Sequence, residues 1–247
     1  MKFKDVYKLI GDVPCSDKDS CRILYDFVMK YKPERCLELG CAWGKTACTV
    51  GAALQELGQG RLDSLDLNII ETFKPSVFEN IKTCGLAEYI FPSLSQVSYT
   101  WQLMHLIEEH TKDNVCEPTY DFIFLDGAHT WETDSSAFFL ATKLLKPGGW
   151  MLFDDVMWTI NSSDYSSKLP QYVDVPADFR STSHIERIVE LLLKQSPDYE
   201  NAFLRDNWAW ARKKSEERLA PKYVELDKFY FKQIVRQKLR RLLWRRK

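Results

Sequence analysis

The chain reads as an α/β protein: a mostly parallel seven-stranded sheet with helices on both faces and an antiparallel hairpin at one edge. Three observations predict this. Short apolar runs alternate with helix-period segments from residue 17 to about residue 195, the pattern of strands joined by crossover helices. Several of the apolar runs stop on Gly or Asp, where a buried strand gives way to a loop. Near the end, "ENAFLRD" and "WAWARK" flank Asp206-Asn207, a turn dipeptide between two strand-like runs. At 247 residues, with 45% hydrophobic and 13% aromatic residues, there is material for a packed core, and the composition excludes a disordered chain.

Each element has its own signal. "DKDSCRILYDFVMKY", residues 17–31, is a helix with Leu24, Phe27 and Val28 on one side and Pro33 just beyond it. "ERCLELG" is a buried strand ending at Gly40. A helix from about Lys45 carries Ala47, Val50, Leu54 and Leu57 at helical spacing and stops at Gly58. "GRLDSLDLN" is the second strand, ending on Asp66. "SVFENIKTCG" is a short helix and "EYIFPSLSQ" the third strand with its turn; a longer helix is predicted near 98–112. "TYDFIFLDGAH" is a strongly apolar strand ending on Asp126. Residues 131–145 form a helix that Thr130 can cap, with Glu132 and Asp134 in its anion-favouring first turn. "KPGG" reads as a turn and "WMLFDDV" as the next strand. Residues 157–183 are irregular and polar, too long for an ordinary connection. A helix over "SHIERIVELLLKQ", with Ser183 as its cap, precedes the hairpin.

The domain boundaries follow. Residues 1–215 make one domain, with 1–33 as an N-terminal helical cap, and 216–247 make a basic amphipathic C-terminal helix. The last twenty residues hold nine Lys or Arg and no acid, so the net charge of −1 leaves about −10 on the rest of the chain. An acidic body argues against a nucleic-acid partner. The tail offers two uses, peripheral membrane attachment or packing on another surface, self-association included. Seven cysteines without a C-x-x-C pair read as reduced thiols in a cytoplasmic protein. There is no signal-peptide core and no run near the ~20 apolar residues that span a bilayer.

The stretch "ELGCAWGKT", Glu38 to Thr46, poses the functional question. It ends like a phosphate-binding loop, but Gly40 and Gly44 enclose three residues where that loop needs four, and Glu38 sets a carboxylate at the mouth. Gly40 and Gly44 allow a tight turn and a close ligand approach. Asp66, at the end of the second strand, stands where a carboxylate can hold two ribose hydroxyls. Together these suggest a nucleoside ligand without bound phosphates, against a structural turn followed by a solvated Asp.

Three further carboxylates end neighbouring strands: Asp126 on one, Asp154 and Asp155 on the next. Oxygen-only donors in an open arrangement suit Mg²⁺, Mn²⁺ or Ca²⁺; the alternative is a set of turn and capping acids. Asp126 also fits the acid that follows an apolar strand in nucleotide hydrolases. His129, three residues on, is placed for proton removal or for a structural role. Trp43, Trp131 and Trp158 each follow a strand end, as substrate walls or as core.

The segments "LELGCAWGKT", "LDLN", "SLSQ", "YDFIFLDGAH" and "LLKPGGWMLFDDV" resemble the class I S-adenosylmethionine-dependent methyltransferases over roughly residues 17–213. Within them the chain is most similar to the metal-dependent O-methyltransferases, both the catechol type and the bacterial sugar or macrolide type. The resemblance implies a Rossmann-like methyltransferase fold. It implies that Glu38, Gly40, Gly44 and Asp66 bind the amino-acid and ribose parts of S-adenosylmethionine and that Ser95 and Gln96 lie by its adenine. It also implies that Asp126, Asp154 and Asp155 hold a divalent cation, Mg²⁺ by preference. The catechol type has Asn at the position of Asp155 and a catalytic Lys at that of His129; the Asp-Asp pair leans toward the sugar branch.

The implied reaction is methyl transfer to a hydroxyl of a small molecule bearing neighbouring hydroxyls: a sugar, natural product or phenol. His129 or Asp126 would accept the proton, and residues 157–183 would cover the acceptor. Two other classes stay open on sequence: a P-loop-like nucleotide hydrolase, and a non-catalytic cofactor-binding module that docks a partner through its tail.

Overall fold

The computed structural model describes residues 1–163 and 166–215. The expected helix over 216–247, and with it the membrane or self-association role of the tail, lies outside the described residues. Seven strands form the sheet: β1 (Arg35–Leu39), β2 (Arg61–Leu67), β3 (Ile90–Ser95), β6 (Tyr120–Leu125), β7 (Leu145–Phe153), β8 (Tyr199–Arg205) and β9 (Trp208–Lys213). A separate two-stranded ribbon, β4 (Thr111–Lys112) and β5 (Val115–Cys116), was not foreseen in the sequence. The order in the main sheet is β3-β2-β1-β6-β7-β9-β8. The first five are mutually parallel and the β8–β9 hairpin adds an antiparallel edge.

Alternate strand residues feed two cores, as the period of a pleated strand requires. Cys36, Leu62, Phe122, Phe124, Leu152, Trp208 and Trp210 pack under helices α1 (Phe3–Ile10), α2 (Lys18–Tyr31), α3 (Lys45–Leu57) and α4 (Val77–Thr83). Leu37, Leu39, Leu65, Ile123, Leu125, Met151 and Phe153 pack against α5 (Tyr99–Glu109), α6 (Trp131–Leu144) and α9 (His184–Ile188). Burial on both faces is why the parallel strands are nearly continuous apolar runs.

Several local expectations are corrected. Lys146-Pro147-Gly148-Gly149 is not a free turn: it lies inside β7, where the pairing with β6 shifts register between Tyr120 and Phe122. Neither Thr130 nor Ser183 caps its helix through its side chain. The Thr130 amide instead donates to Asp134, and the Ser183 hydroxyl donates to the Met157 carbonyl. The helix from 184 converts after Ile188 into a π-helical turn, Val189–Leu193. The described residues of segment 157–183 include several short helical turns, among them α7 (Pro170–Val173) and α8 (Ala177–Ser181). Asp17 does cap α2, accepting the Ser20 amide. No helix among the described residues is long and apolar enough to cross a membrane.

Candidate active site

The sheet register sets the site. Leu65, Leu39, Leu125 and Phe153 are paired side by side across β2, β1, β6 and β7. One step later come Asp66, Gly40, Asp126 and Asp154, so these four stand in a row along the carboxyl edge of the sheet. The ladder runs on into them: Gly40 N–H donates to the Leu65 carbonyl, Asp126 N–H to Leu39 and Asp154 N–H to Leu125. Gly40 can be nothing larger. Its φ is +90°, and a Cβ there would lie 1.9 Å from the Asp126 carbonyl oxygen.

Beyond Gly40 the chain turns through Ala42 and Gly44, both at positive φ, into α3. Asp66 holds this turn from below: its Oδ2 accepts the amides of Cys41 at 2.7 Å and Ala42 at 2.8 Å. In this structure the carboxylate therefore organises the loop, and Oδ1 accepts its own neighbour, Leu67 N–H. Glu38, 1% exposed, accepts the Ser64 hydroxyl on Oε2 at 2.5 Å, while Oε1 is buried with no partner. Burial pushes its pKa up to about 7, against the hydrogen bond from Ser64, and the Asp66 charge adds to the rise. An unpartnered buried carboxylate oxygen beside a glycine turn fits a ligand that brings a cationic or N–H group, as the amino-acid part of S-adenosylmethionine does.

Lys45 answers the question raised by the Gly-Lys-Thr ending. Its ammonium is buried and donates to the carbonyls of Gly11, Val13 and Cys15 at 3.1, 2.8 and 3.3 Å. It pins the N-terminal segment to α3 and is spent on protein oxygens, not held toward a phosphate. The hydrolase expectation loses its key cation.

A cavity of about 480 Å³ opens on the β6–β7 side of this loop. Cys41, Trp43 and Thr46 line it, as do Asp126, His129, Asp154 and Asp155; Cys15 and Asp17 form one rim and Asp206 and Asn207 another. Ser95 and Gln96 do not line it. They stand at the far side of the row, at the end of β3 and just past it, where the Ser95 hydroxyl accepts the Val97 amide and Gln96 is exposed.

Within the cavity the acids crowd. Burial, then the Asp154 charge, pushes Asp126 well above the usual carboxylate range, and Glu38 and Asp155 add to it. Asp154 Oδ1 accepts the Asp155 amide at 2.7 Å and the indole N–H of Trp208. Asp155, at φ +53°, accepts Asn207 Nδ2 on Oδ1 at 2.8 Å; burial and Asp154 raise its pKa while His129 opposes. His129 Nε2 sits 3.8 Å from Asp126 and 3.7 Å from Asp155, its Nδ1 is buried without a partner, and its ring packs on Trp158. Three carboxylates around one cavity, with mutual repulsion raising two of them, are a donor set that fits a hard divalent cation. Among the described residues no three such groups are drawn close enough to form a preassembled cation site.

Trp43 stacks on Phe73 at the loop, as a wall, whereas Trp131, the first residue of α6, is partly buried against the core. Sequence reasoning placed Asp206-Asn207 as a hairpin turn but missed that Asn207 and Trp208 reach the acids. The register carried that signal, since Ala209 pairs with Phe153 and so sets Trp208 beside Asp154.

Comparison with known proteins agrees with this layout. Residues 37–156, from β1 to just past the acid pair, match the family model described as a methyltransferase domain. No curated protein matches the chain. Among solved structures, an O-methyltransferase from Bacillus cereus in complex with S-adenosylhomocysteine is similar at 20% identity, with 86% of this chain and 90% of that one covered and a TM-score of 0.60. An O-methyltransferase from Streptomyces achromogenes involved in tomaymycin synthesis, bound to S-adenosylmethionine, is similar at 17% identity, over 86% and 89%, with a TM-score of 0.59. A Podospora anserina methyltransferase bound to S-adenosylhomocysteine gives 16%, 86% and 87%, and 0.59. At these identities the likeness carries the fold. Over residues 37–156 the chain is similar to the methyltransferase-domain family.

Proposed function

We propose that the protein is an O-methyltransferase that moves the methyl group of S-adenosylmethionine to a hydroxyl of a small molecule bearing neighbouring hydroxyls, with a divalent cation, Mg²⁺ by preference. The observation that carries the reading is that Asp126, His129, Asp154 and Asp155 share one cavity with the loop after Gly40. Glu38, Gly40, Gly44 and Asp66 would hold the amino-acid and ribose parts of the cofactor, and Ser95 and Gln96 would border its adenine. Similar structures with bound S-adenosylmethionine or S-adenosylhomocysteine support this side of the reading.

Asp126, Asp154 and Asp155 would hold the cation, which when bound would acidify a hydroxyl of the acceptor. The chain's own part is the rest. The acids and the Trp43 wall orient the acceptor, segment 157–183 covers it, and His129 takes the hydroxyl proton on Nε2, the nitrogen that faces Asp126 and Asp155. Alignment of oxygen and methyl can supply as much as ~7–11 kcal/mol of barrier reduction. The seven cysteines are unpaired, which supports a cytoplasmic setting as part of the proposal.

The test is methyl transfer from methyl-labelled S-adenosylmethionine to a panel of catechols, sugars and polyketide diols, with Mg²⁺ or with EDTA. Label transfer to oxygen that EDTA abolishes supports the reading. Transfer to nitrogen or carbon acceptors alone overturns it.

A further inference from the structure

The loop that carries Asp126 and His129 has an unusual shape. His129 lies at φ +53°, a left-handed conformation that costs a side-chain-bearing residue energy unless its surroundings impose it. The two amides that flank it are both held from behind the cavity. Ala128 N–H donates to the Tyr99 hydroxyl at 3.0 Å, and Thr130 N–H donates to Asp134 Oδ2 at 2.9 Å. Tyr99 and Asp134 are themselves joined: the Tyr99 hydroxyl donates to Asp134 Oδ1 at 2.5 Å. Tyr99 is 5% exposed and Asp134 1%.

The hydrogen-bond directions leave no freedom. Tyr99 Oη has one proton. Because Ala128 donates to the oxygen, that proton goes to Asp134, whose other oxygen takes Thr130. The fit is also steric, since a Cβ on Gly127 would lie 2.4 Å from Tyr99 Oη. Neither residue lines the cavity and neither faces its contents. Asp134 stands in the first turn of α6, as the sequence predicts, and also serves the backbone before that helix.

We propose that Tyr99 and Asp134 are positioning residues that impose the left-handed turn at His129 and so aim its imidazole at Asp126 and Asp155. The inference rests on the proposed role of His129, but the geometry is tested without an acceptor.

Full-length Tyr99→Phe keeps the ring and loses the hydroxyl. In that variant, amide hydrogen exchange at Ala128 and Thr130 should rise about tenfold while Phe124 and Leu152 in the neighbouring strands hold, because two local bonds are lost and not the core. The ring nitrogen signals of His129 should shift, and its diethyl pyrocarbonate labelling should speed up relative to exposed His105. Asp134→Asn, which can still accept one of the two bonds, should give the same pattern more weakly. Tyr120→Phe is the control. It removes another buried Tyr–Asp bond, to Asp63 at 3.0 Å, at the far end of β6.

Unchanged His129 signals in Tyr99→Phe would overturn the proposal, as would an equal response to Tyr120→Phe or uniform acceleration of all core amides. S-adenosylhomocysteine affinity, measured by calorimetry in each protein, keeps the two readings apart. Failure of the unaltered protein to bind it counts against the proposed function and leaves the loop measurements standing.

Discussion

Ser64 on β2 donates its hydroxyl to Glu38 on β1 at 2.5 Å, directly across a parallel pair, and leaves the other Glu38 oxygen buried and unpartnered. A carboxyl so placed favours its proton. Its folded pKa, pushed up to about 7 by burial, stands above the 4.5 of the unfolded chain. The stability it contributes is therefore fully present below about pH 4.5 and lost as pH rises through about 7, a difference of about 3 kcal/mol. Urea unfolding of the unaltered protein and Glu38→Gln at pH 5 and pH 8 checks this. The unaltered protein should lose stability over that interval and the variant should lose distinctly less; parallel pH curves would contradict it.

Asp126 makes the complementary case. Without a cation it is a buried acid facing another acid. Asp126→Asn should raise the unfolding free energy of the metal-free protein by about 1–2 kcal/mol, because removing repulsion outweighs the loss of an acceptor. The same change should abolish any stabilisation by millimolar Mg²⁺. Loss of stability in the metal-free variant would contradict the repulsion argument.

Lys45 should behave as a clamp. Lys45→Met leaves the carbonyls of Gly11, Val13 and Cys15 without their donor and should cost about 2–3 kcal/mol. Protease cleavage near residues 11–15 should accelerate far more than cleavage elsewhere, and the rim of the cavity should loosen with it. If cleavage rises equally along the chain, Lys45 is an ordinary core residue.

Trp208 should matter through one proton. Trp208→Phe retains a ring against Phe124 and removes the indole donor to Asp154. The expected cost is about 1–3 kcal/mol in denaturant unfolding, for an acid left with the Asp155 amide alone on that oxygen. A variant of unaltered stability would mean that the indole bond carries nothing.

Much of this was legible in the sequence because strand ends announce themselves. Gly40, Asp66, Asp126 and Asp154 each break an apolar run, and parallel pairing then puts them in one row. Side-chain partners were not legible. Nothing in "LDGAHTWETD" says that Asp134 turns back to Thr130 and Tyr99 when it could sit on the surface of α6, because that choice depends on which helix packs behind the loop. The same holds for Lys45, whose three carbonyls come from a segment thirty or more residues earlier. "KPGG" was misread because Pro and Gly mark turns locally, while pairing with β6 draws the bulged segment into a strand.

The most direct test of the central claim is thermal unfolding of the protein with S-adenosylhomocysteine, with Mg-ATP, or with neither. A ligand at ~100 times its dissociation constant stabilises the folded state by about 2.7 kcal/mol. The account predicts a raised midpoint with S-adenosylhomocysteine, lost in Glu38→Gln, and none with Mg-ATP. A rise with Mg-ATP alone would contradict it and return "ELGCAWGKT" to the phosphate-binding loops.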